Sequence, residues 1–120
     1  MSPCTIARAP RSEAFEWGEI TWFANDQIGN SNELTLGRCI IRPGMTNPLH
    51  HHDNTSEVLT VVAGTIMHTT DTGEVKMEAD DTLTVPAGLP HRARNIGNID
   101  AVLIIAYPTA HREWSSDEPR

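Results

Sequence analysis

The stretch GMTNPLHHHDNTSEVLTVVAG, residues 44–64, contains three consecutive histidines, and Glu57 follows the last of them by five residues. If the histidines form a strand, His50 and His52 point to one face and His51 to the other. Imidazole and carboxylate groups bind divalent metals such as Fe, Mn, Ni, Cu and Zn. The stretch therefore predicts a two-histidine arm with a carboxylate close to it, and not three equivalent ligands.

A further candidate ligand, His91, lies far downstream, after the turn signal Pro86-Ala87-Gly88. His91 shares one face of a predicted strand with Ala93 and Asn95, while two arginines occupy the opposite face. This alternation is typical of a strand with one buried side, and it predicts that His91 points inward. Asn95 could either anchor a turn or orient a ligand by hydrogen bonding.

The rest of the chain is a series of short apolar segments separated by Gly, Pro, Asn and Asp. No apolar repeat of 3.6 residues persists long enough to predict a helix. Evenly spaced short strands favour an all-β sandwich or barrel. The predicted strands are Leu34–Arg42, Leu49–His52, Glu57–Ala63, Thr65–Thr70, Val75–Glu78, Thr82–Val85, His91–Asn95 and Ala101–Tyr107, with strand-like composition also in Phe15–Phe23.

Bulk properties narrow the function classes. A length of 120 residues predicts one domain, and a net charge of -7 argues against nucleic acid as a partner. No apolar leader precedes Glu19, and Ala101–Tyr107 is too short to span a bilayer. Two cysteines, Cys4 and Cys39, favour thiols in a reducing compartment over a disulfide framework. We therefore expect a cytoplasmic protein without a membrane or nucleic-acid partner.

The spacing of these residues resembles the two sequence motifs of the cupin superfamily, over nearly half the chain. One position departs from the pattern, since Asp80 stands where the family has the glycine that opens its second motif. Asp tolerates turn conformations better than most residues, so the departure concerns the turn and not a ligand. The matching residues are Gly44, His50, His52, Glu57 and Gly64 in the first motif and Pro86, Gly88, His91 and Asn95 in the second.

The resemblance implies a jelly-roll barrel (a double-stranded β-helix) of two antiparallel sheets over residues 13–108. Residues 1–12 are expected to form a flexible lead-in and residues 109–120 a polar tail. The resemblance also implies one divalent transition metal (Fe, Mn, Ni, Cu or Zn), held in an open site by four ligands. Glu57 is the only acid/base candidate, provided that it binds the metal loosely. The implied ligands are His50, His52, Glu57 and His91.

Other polar residues are expected to serve roles other than metal binding. His51 is expected to face outward, His68 to be a hydrogen-bonded barrel residue, and His111 to be exposed in the tail. Arg38 and Arg42 could bind a substrate carboxylate, although a solvated strand end is the preferred interpretation.

The resemblance implies an enzyme, and by analogy with the superfamily a dioxygenase-type oxidoreductase is the predicted function. The inferred cavity residues are aliphatic, which predicts a small hydrophobic organic substrate. The alternatives are a redox-neutral lyase, isomerase or cyclase, and a non-catalytic module that binds metal or a small ligand. A homodimer is also predicted, because the aromatic segment Phe15–Phe23 lies outside the motifs and Val58 and Val62 form an apolar outer face. Alternatively, the aromatic segment covers its own barrel.

Overall fold

The computed structural model describes residues 3–119, and its regular structure consists of β-strands alone. None of the described segments is a helix long and apolar enough to cross a membrane. The strands are β1 (Arg11–Phe15), β2 (Gly18–Ala24), β3 (Thr35–Ile41), β4 (His50–His51), β5 (Glu57–Ala63), β6 (Ile66–Thr70), β7 (Gly73–Met77), β8 (Thr82–Val85), β9 (Arg92–Asn95), β10 (Ala101–Tyr107) and β11 (Ser115–Ser116).

The strands form two antiparallel layers around one core, which confirms the predicted all-β jelly roll. The larger sheet has the order β1-β2-β3-β10-β5-β8. Opposite it, the order β7-β6-β9 continues into the pair β4-β11 through backbone bridges between His50 and His91 and between Thr46 and Arg94. The two predicted histidine segments are thus neighbours in one layer.

Strict alternation of burial produces the core. In β3 and β10 every second residue is buried, and β9 buries Ala93 and Asn95 while exposing both arginines, as its sequence predicts. Burying such aliphatic side chains contributes roughly 1.5–3 kcal/mol each. The buried apolar residues of the central strands are Cys39, Ile41, Leu59, Val61, Ile66, Val85, Ala93, Ala101, Leu103 and Ile105.

Both ends of the chain differ from the prediction. Phe15–Phe23 is not one strand, because the chain reverses after Phe15 and β1 pairs with β2 as a hairpin. The hairpin begins at Arg11, inside the predicted lead-in, because that segment finds backbone partners along β2. The predicted polar tail pairs through β11 with β4. The polar composition of the tail did not indicate a strand, because this pairing depends on hydrogen bonds between backbone groups.

Two motif positions show why their residue types are needed. Gly64 has φ of 83°, and a Cβ atom there would lie 2.9 Å from Ala101 Cα, so only glycine fits the reversal. Asp80 has φ of 76° and is the only non-glycine residue with positive φ in the described chain. The turn therefore keeps the conformation that suits glycine although this chain carries aspartate.

Candidate metal centre

The structure brings the four predicted ligands together at one end of the barrel. His50 lies on β4, His52 directly follows it, Glu57 begins β5, and His91 precedes β9. One potential ligand atom from each side chain lies within 4.8 Å of the others, and all four residues are buried. The backbone pairing of His50 with His91, with N–O distances of 3.1 and 2.8 Å, joins the two motifs directly.

Backbone carbonyls orient all three histidine rings in the same way. Nδ1 of His50 lies 2.6 Å from the Pro48 carbonyl oxygen, and Nδ1 of His91 lies 2.9 Å from that of Leu89. Nδ1 of His52 lies 2.8 Å from a carbonyl of the tail, that of Glu113. A carbonyl only accepts, so each Nδ1 carries the proton and Nε2 is left for the centre. Such outer hydrogen bonds hold metal-binding imidazoles in place.

Glu57 completes the cluster. Its Oε1 lies 3.0 Å from His91 Nε2 and 3.5 Å from His52 Nε2, while Tyr107 donates its hydroxyl proton to Oε2 at 3.0 Å. His52 Nε2 is buried and has no hydrogen-bond partner in the described chain. With each Nδ1 protonated, neutral Nε2 atoms and a carboxylate oxygen are all acceptors, so a cation between them satisfies every group. The cluster therefore suits a divalent transition metal.

The electrostatics favour a neutral His50 and an ionised Glu57, whereas at His91 the hydrogen bond and charge of Glu57 outweigh burial and raise the pKa. Burial, assisted by the neighbouring His91, lowers the pKa of His50 to about 4, which keeps its imidazole neutral near pH 7. Burial alone would raise the pKa of Glu57, but its interactions with His52 and His91 outweigh burial and hold that pKa well below the usual range. Metals bind neutral imidazole and ionised carboxylate, so both shifts prepare the site.

His50, Glu57 and His91 of the cluster line an open cavity of about 440 Å³ whose wall includes side chains of both layers. The side chains of β2, β3, β5 and β10 supply an aliphatic wall, and the N-terminal hairpin adds Phe15 and Trp17, whose rings are stacked 4.9 Å apart. The apolar lining consists of Phe15, Trp17, Ile20, Cys39, Pro48, Leu59, Ala93, Leu103, Ile105 and Trp114.

Three residues that line the cavity were not predicted as site residues from the sequence. Tyr107 ends β10, is buried, and bonds Glu57; burial, reinforced by that carboxylate, raises the pKa of Tyr107 well above its usual value. From the tail, Trp114 stacks on His50 at 5.6 Å, and the Arg112 guanidinium lies 4.5 Å from the Trp22 ring centroid. The inward parity of β10 could have indicated Tyr107, but no local signal marks the tail residues.

The predictions for the other three histidines are confirmed in two cases and partly wrong in the third. His51 faces away from the centre as predicted, with Nδ1 2.7 Å from Asp117, and that hydrogen bond raises the pKa of His51. His111 is exposed as predicted, with 66% of its side chain accessible. His68 is a barrel residue as predicted, and it lines the cavity, which the sequence left open. The expectation of a hydrogen-bonded ring is wrong, since neither ring nitrogen has a partner in the described chain. Burial, with a contribution from His91, lowers the pKa of His68 to about 4.

The other polar candidates serve the framework. Arg42 pairs with Asp100 at 2.8 Å in a partly solvated position, as the preferred interpretation states. Arg38 lies over the Phe23 ring at 5.4 Å and is absent from the cavity wall. Asn95 anchors a turn, because its amide donates to the carbonyls of Ile41 and Ile99.

Relatives of this chain were found by sequence. The cupin domain family profile matches residues 37–107. Germin-like protein 3-8 from Oryza sativa subsp. japonica is 32% identical over 83 residues, covering 65% of this chain and 37% of the relative. Polyketide synthase CurC from Streptomyces cyaneus is 32% identical over 69 residues, covering 58% of this chain and 45% of that protein. The chain thus spans about two fifths of the length of these relatives.

Solved structures share the fold. An oxalate decarboxylase from Lactobacillus farciminis superposes with a TM-score of 0.83 at 18% identity, over 90% of this chain and 33% of the other. An oxalate oxidase bound to glycolate gives a TM-score of 0.78 at 20% identity, over 88% of this chain and 60% of the other. Profile match, jelly-roll architecture and the four-residue cluster agree, and the chain belongs to the cupin family.

Proposed function

We propose that this cupin is a mononuclear metal-dependent enzyme, of dioxygenase type, that acts on a small hydrophobic organic substrate. The observation that carries the proposal is the buried cluster of His50, His52, Glu57 and His91, of which all but His52 line a largely apolar cavity. Structural metal sites close their coordination with protein ligands, whereas catalytic sites keep positions open. Four protein ligands leave about two positions of an octahedron for other molecules.

The bound metal would supply either activation of dioxygen or polarisation of a carbonyl or enolate oxygen. This chain's residues supply the setting for that chemistry. The aliphatic and aromatic wall offers few polar groups, and such an environment of low dielectric constant strengthens electrostatic interactions inside the cavity. Tyr107 holds Oε2 of Glu57, the side chain we assign as the acid/base candidate. Because Oε2 accepts a hydrogen bond from the Tyr107 hydroxyl, the Glu57 side chain is restrained in one orientation.

The cavity lining favours an uncharged or weakly charged substrate. Proteins of similar fold act on oxalate, a small dianion that would call for several cationic partners. In the cavity wall, among the described residues, Arg112 is the only arginine or lysine, and Glu13 and Glu57 add negative charge. An apolar molecule with a keto–enol or aromatic group suits this wall better, and the similarity to a polyketide synthase component supports the same class.

A redox-neutral lyase, isomerase or cyclase is the second candidate. It is favoured by the Tyr107–Glu57 contact, in which a hydroxyl and a carboxylate at 3.0 Å could relay a proton at Oε2. A non-catalytic module that binds metal or a small ligand would need the cluster and the cavity but no turnover.

The decisive experiment begins with elemental analysis of protein purified without an affinity tag or chelator. We expect one transition metal per chain, and its absence after growth in supplemented medium would refute the proposal. Oxygen uptake is then followed with β-diketones, flavonols, catechols and keto acids, and products are analysed in parallel. Oxygen consumption supports the dioxygenase, product without oxygen uptake supports the redox-neutral enzyme, and binding without turnover supports the non-catalytic module.

We also propose a homodimer located in the cytoplasm. Val58 and Val62 are 37% and 52% exposed on the outer face of β5, which supports an apolar contact between subunits. Light scattering should give the dimer mass, and a stable monomer would contradict the proposal. The location is supported by the composition, because two cysteines in 120 residues are fewer than the disulfide framework of a small secreted domain needs. Fractionation of the cells that make the protein tests this directly.

A further inference from the structure

One buried side chain of the cavity lacks the partners that its chemistry requires. His68 is 1% exposed, and neither Nδ1 nor Nε2 forms a hydrogen bond within residues 3–119. Its ring lies beside His91, with the centroids 5.6 Å apart and the planes inclined by 18°. Leaving a buried polar group unsatisfied costs about 1–3 kcal/mol, so such a group in a folded protein calls for an explanation.

The strand pattern aims His68 at the cavity. In β6 the burial alternates, so that Ile66 and His68 are buried while Met67 lies between them on the more accessible face. His68 pairs with Ala93 across β6 and β9, and both residues line the cavity. A slip of one residue would exchange the two faces of the strand, so the register that buries Ile66 also places His68 inside.

Neighbouring buried polar residues show how the fold satisfies such groups elsewhere. Asn95, also 1% exposed, lies on the adjoining strand and uses its amide to bond Ile41 O and Ile99 O and its Oδ1 to accept from Gly97 N. His50 and His91 each bond a backbone carbonyl through Nδ1. Within the described residues, His68 is the buried histidine with no such bond.

We propose that His68 recognises the substrate by a hydrogen bond between a ring nitrogen and an oxygen of that molecule. Imidazole offers an N–H donor and, when neutral, an acceptor, and it therefore matches a hydroxyl or carbonyl oxygen. The cavity wall that His68 joins is mainly apolar, with Leu59, Ala93 and Leu103 among its residues. The ligand class is an apolar ring or chain that carries a hydroxyl or carbonyl group. This inference rests on the proposed function, because it places the substrate in the cavity beside the metal cluster.

The test compares three probes of similar shape in the metal-loaded full-length protein. 1-Indanol carries a hydroxyl, 1-indanone carries a carbonyl, and indane carries neither. Their binding is followed by the fluorescence of Trp17 and Trp114, which line the cavity. Because one net hydrogen bond is worth about 1 kcal/mol, the oxygenated probes should bind about five- to tenfold more tightly than indane.

Two substitutions isolate His68. His68→Leu keeps an apolar side chain of similar bulk but no hydrogen-bonding group, so the preference for oxygenated probes should disappear while indane binds at least as well. His68→Gln keeps a donor and an acceptor and should retain part of the preference. His111→Leu is the matched control, since it removes an exposed histidine that does not line the cavity and should change neither affinity. We further expect His68→Leu to raise the melting temperature, because it removes an unsatisfied buried group.

Three results would overturn the inference. The first is an unchanged preference in His68→Leu, which would assign the ring nitrogens to water. The second is loss of metal from His68→Leu, which would assign the residue to the metal cluster. The third is failure of all three probes to bind metal-loaded wild-type protein. A wild-type protein that holds no metal would instead refute the proposed function, and elemental analysis of each sample separates that result from the others.

Discussion

The metal cluster is assembled by two regions of very different appearance. In and beside the motif strands β4, β5 and β9, buried and exposed side chains alternate, and this alternation brings the four candidate ligands together. The segment after Pro108 is polar, with regular structure only at Ser115–Ser116 among its described residues. Yet this segment provides the carbonyl that holds His52, the indole stacked on His50, and the arginine of the cavity wall.

This difference shows that the metal ligands and the groups that hold them in place can be indicated by unrelated features of the sequence. The strands supply side chains, and side-chain identity is visible in a sequence. The tail supplies mainly backbone groups: Glu113 O accepts from His52, and β11 pairs with β4. Two of its carboxylates add side-chain anchors, with Glu118 accepting from the Leu49 amide at 2.7 Å and Asp117 bonding His51 at 2.7 Å.

The largest effect is expected at His52, where the two regions meet. His52→Ala removes a ligand and the bond to Glu113, and retention of metal should fall more than 100-fold, since loss of an outer partner alone costs about 10–100-fold. Elemental analysis after dialysis measures the loss, and circular dichroism should show an intact β-fold. His111→Ala is the control and should keep its metal. Full metal retention in His52→Ala would remove this residue from the ligand set.

Deleting residues 113–120 tests whether the tail is part of the centre. The deletion removes the Glu113 carbonyl, Trp114 and β11, and we expect metal affinity to fall about 10–100-fold because His52 loses its orienting bond. Competition with a chelator measures the affinity, and deletion of residues 119–120 alone is the matched control. Unchanged affinity in the longer deletion would show that the motif strands suffice.

Tyr107→Phe tests a contact to Glu57 that comes from neither the motif strands nor the tail, because Tyr107 ends β10. The hydroxyl donates to the Glu57 carboxylate, and a hydrogen bond to a charged group is worth about 1.5–3 kcal/mol. We expect a decrease of that order in the free energy of unfolding, measured with denaturant, and metal affinity reduced by no more than about tenfold. Thr60→Val, which removes a hydroxyl bond on the outer face of β5, is a control that should leave metal affinity unchanged. A Tyr107→Phe protein as stable as wild type would mean that the hydroxyl is solvated.

The smallest effect is expected at Asp80, where the chain departs from the motif. Asp80→Gly removes a side chain from a residue with φ of 76°, and stability should rise by up to about 1 kcal/mol. The denaturation midpoint measures the change, and metal affinity should be unaffected. Asp81→Gly is the matched control, since Asp81 Oδ2 accepts from the Glu78 amide and its loss should destabilise the same turn. Destabilisation in Asp80→Gly would show that the aspartate side chain supports the turn.

Much of the centre was predictable from the sequence because β-strands obey a period of two. His50 and His52 on one face, Glu57 at the start of the next strand and His91 opposite Arg92 all follow from that parity, and each lies where it was expected. The outward direction of His51 follows from the same rule. Parity also places His68 inside, but it says nothing about hydrogen-bond partners, which depend on strands distant in sequence.

The N-terminal aromatic segment shows the limit of composition. Trp22 is buried against Tyr107, whereas Phe15 and Trp17 stack at the cavity wall, because the turn between β1 and β2 sends neighbouring aromatic residues in different directions. This arrangement agrees with the alternative that the segment covers its own barrel. It leaves the dimer a proposal that rests on the outer face of β5.

By itself the sequence determined the strand-rich architecture, the four-residue ligand set and the positions of the motif turns, because these depend on residue type and on alternation over a few neighbours. Only the tertiary structure decided that the tail orients His52, that Tyr107 restrains Glu57, and that the His68 ring has no hydrogen-bond partner within residues 3–119. The physical reason is that such contacts join backbone and side-chain atoms separated by tens of residues. No local sequence pattern indicates which carbonyl or hydroxyl will form the contact.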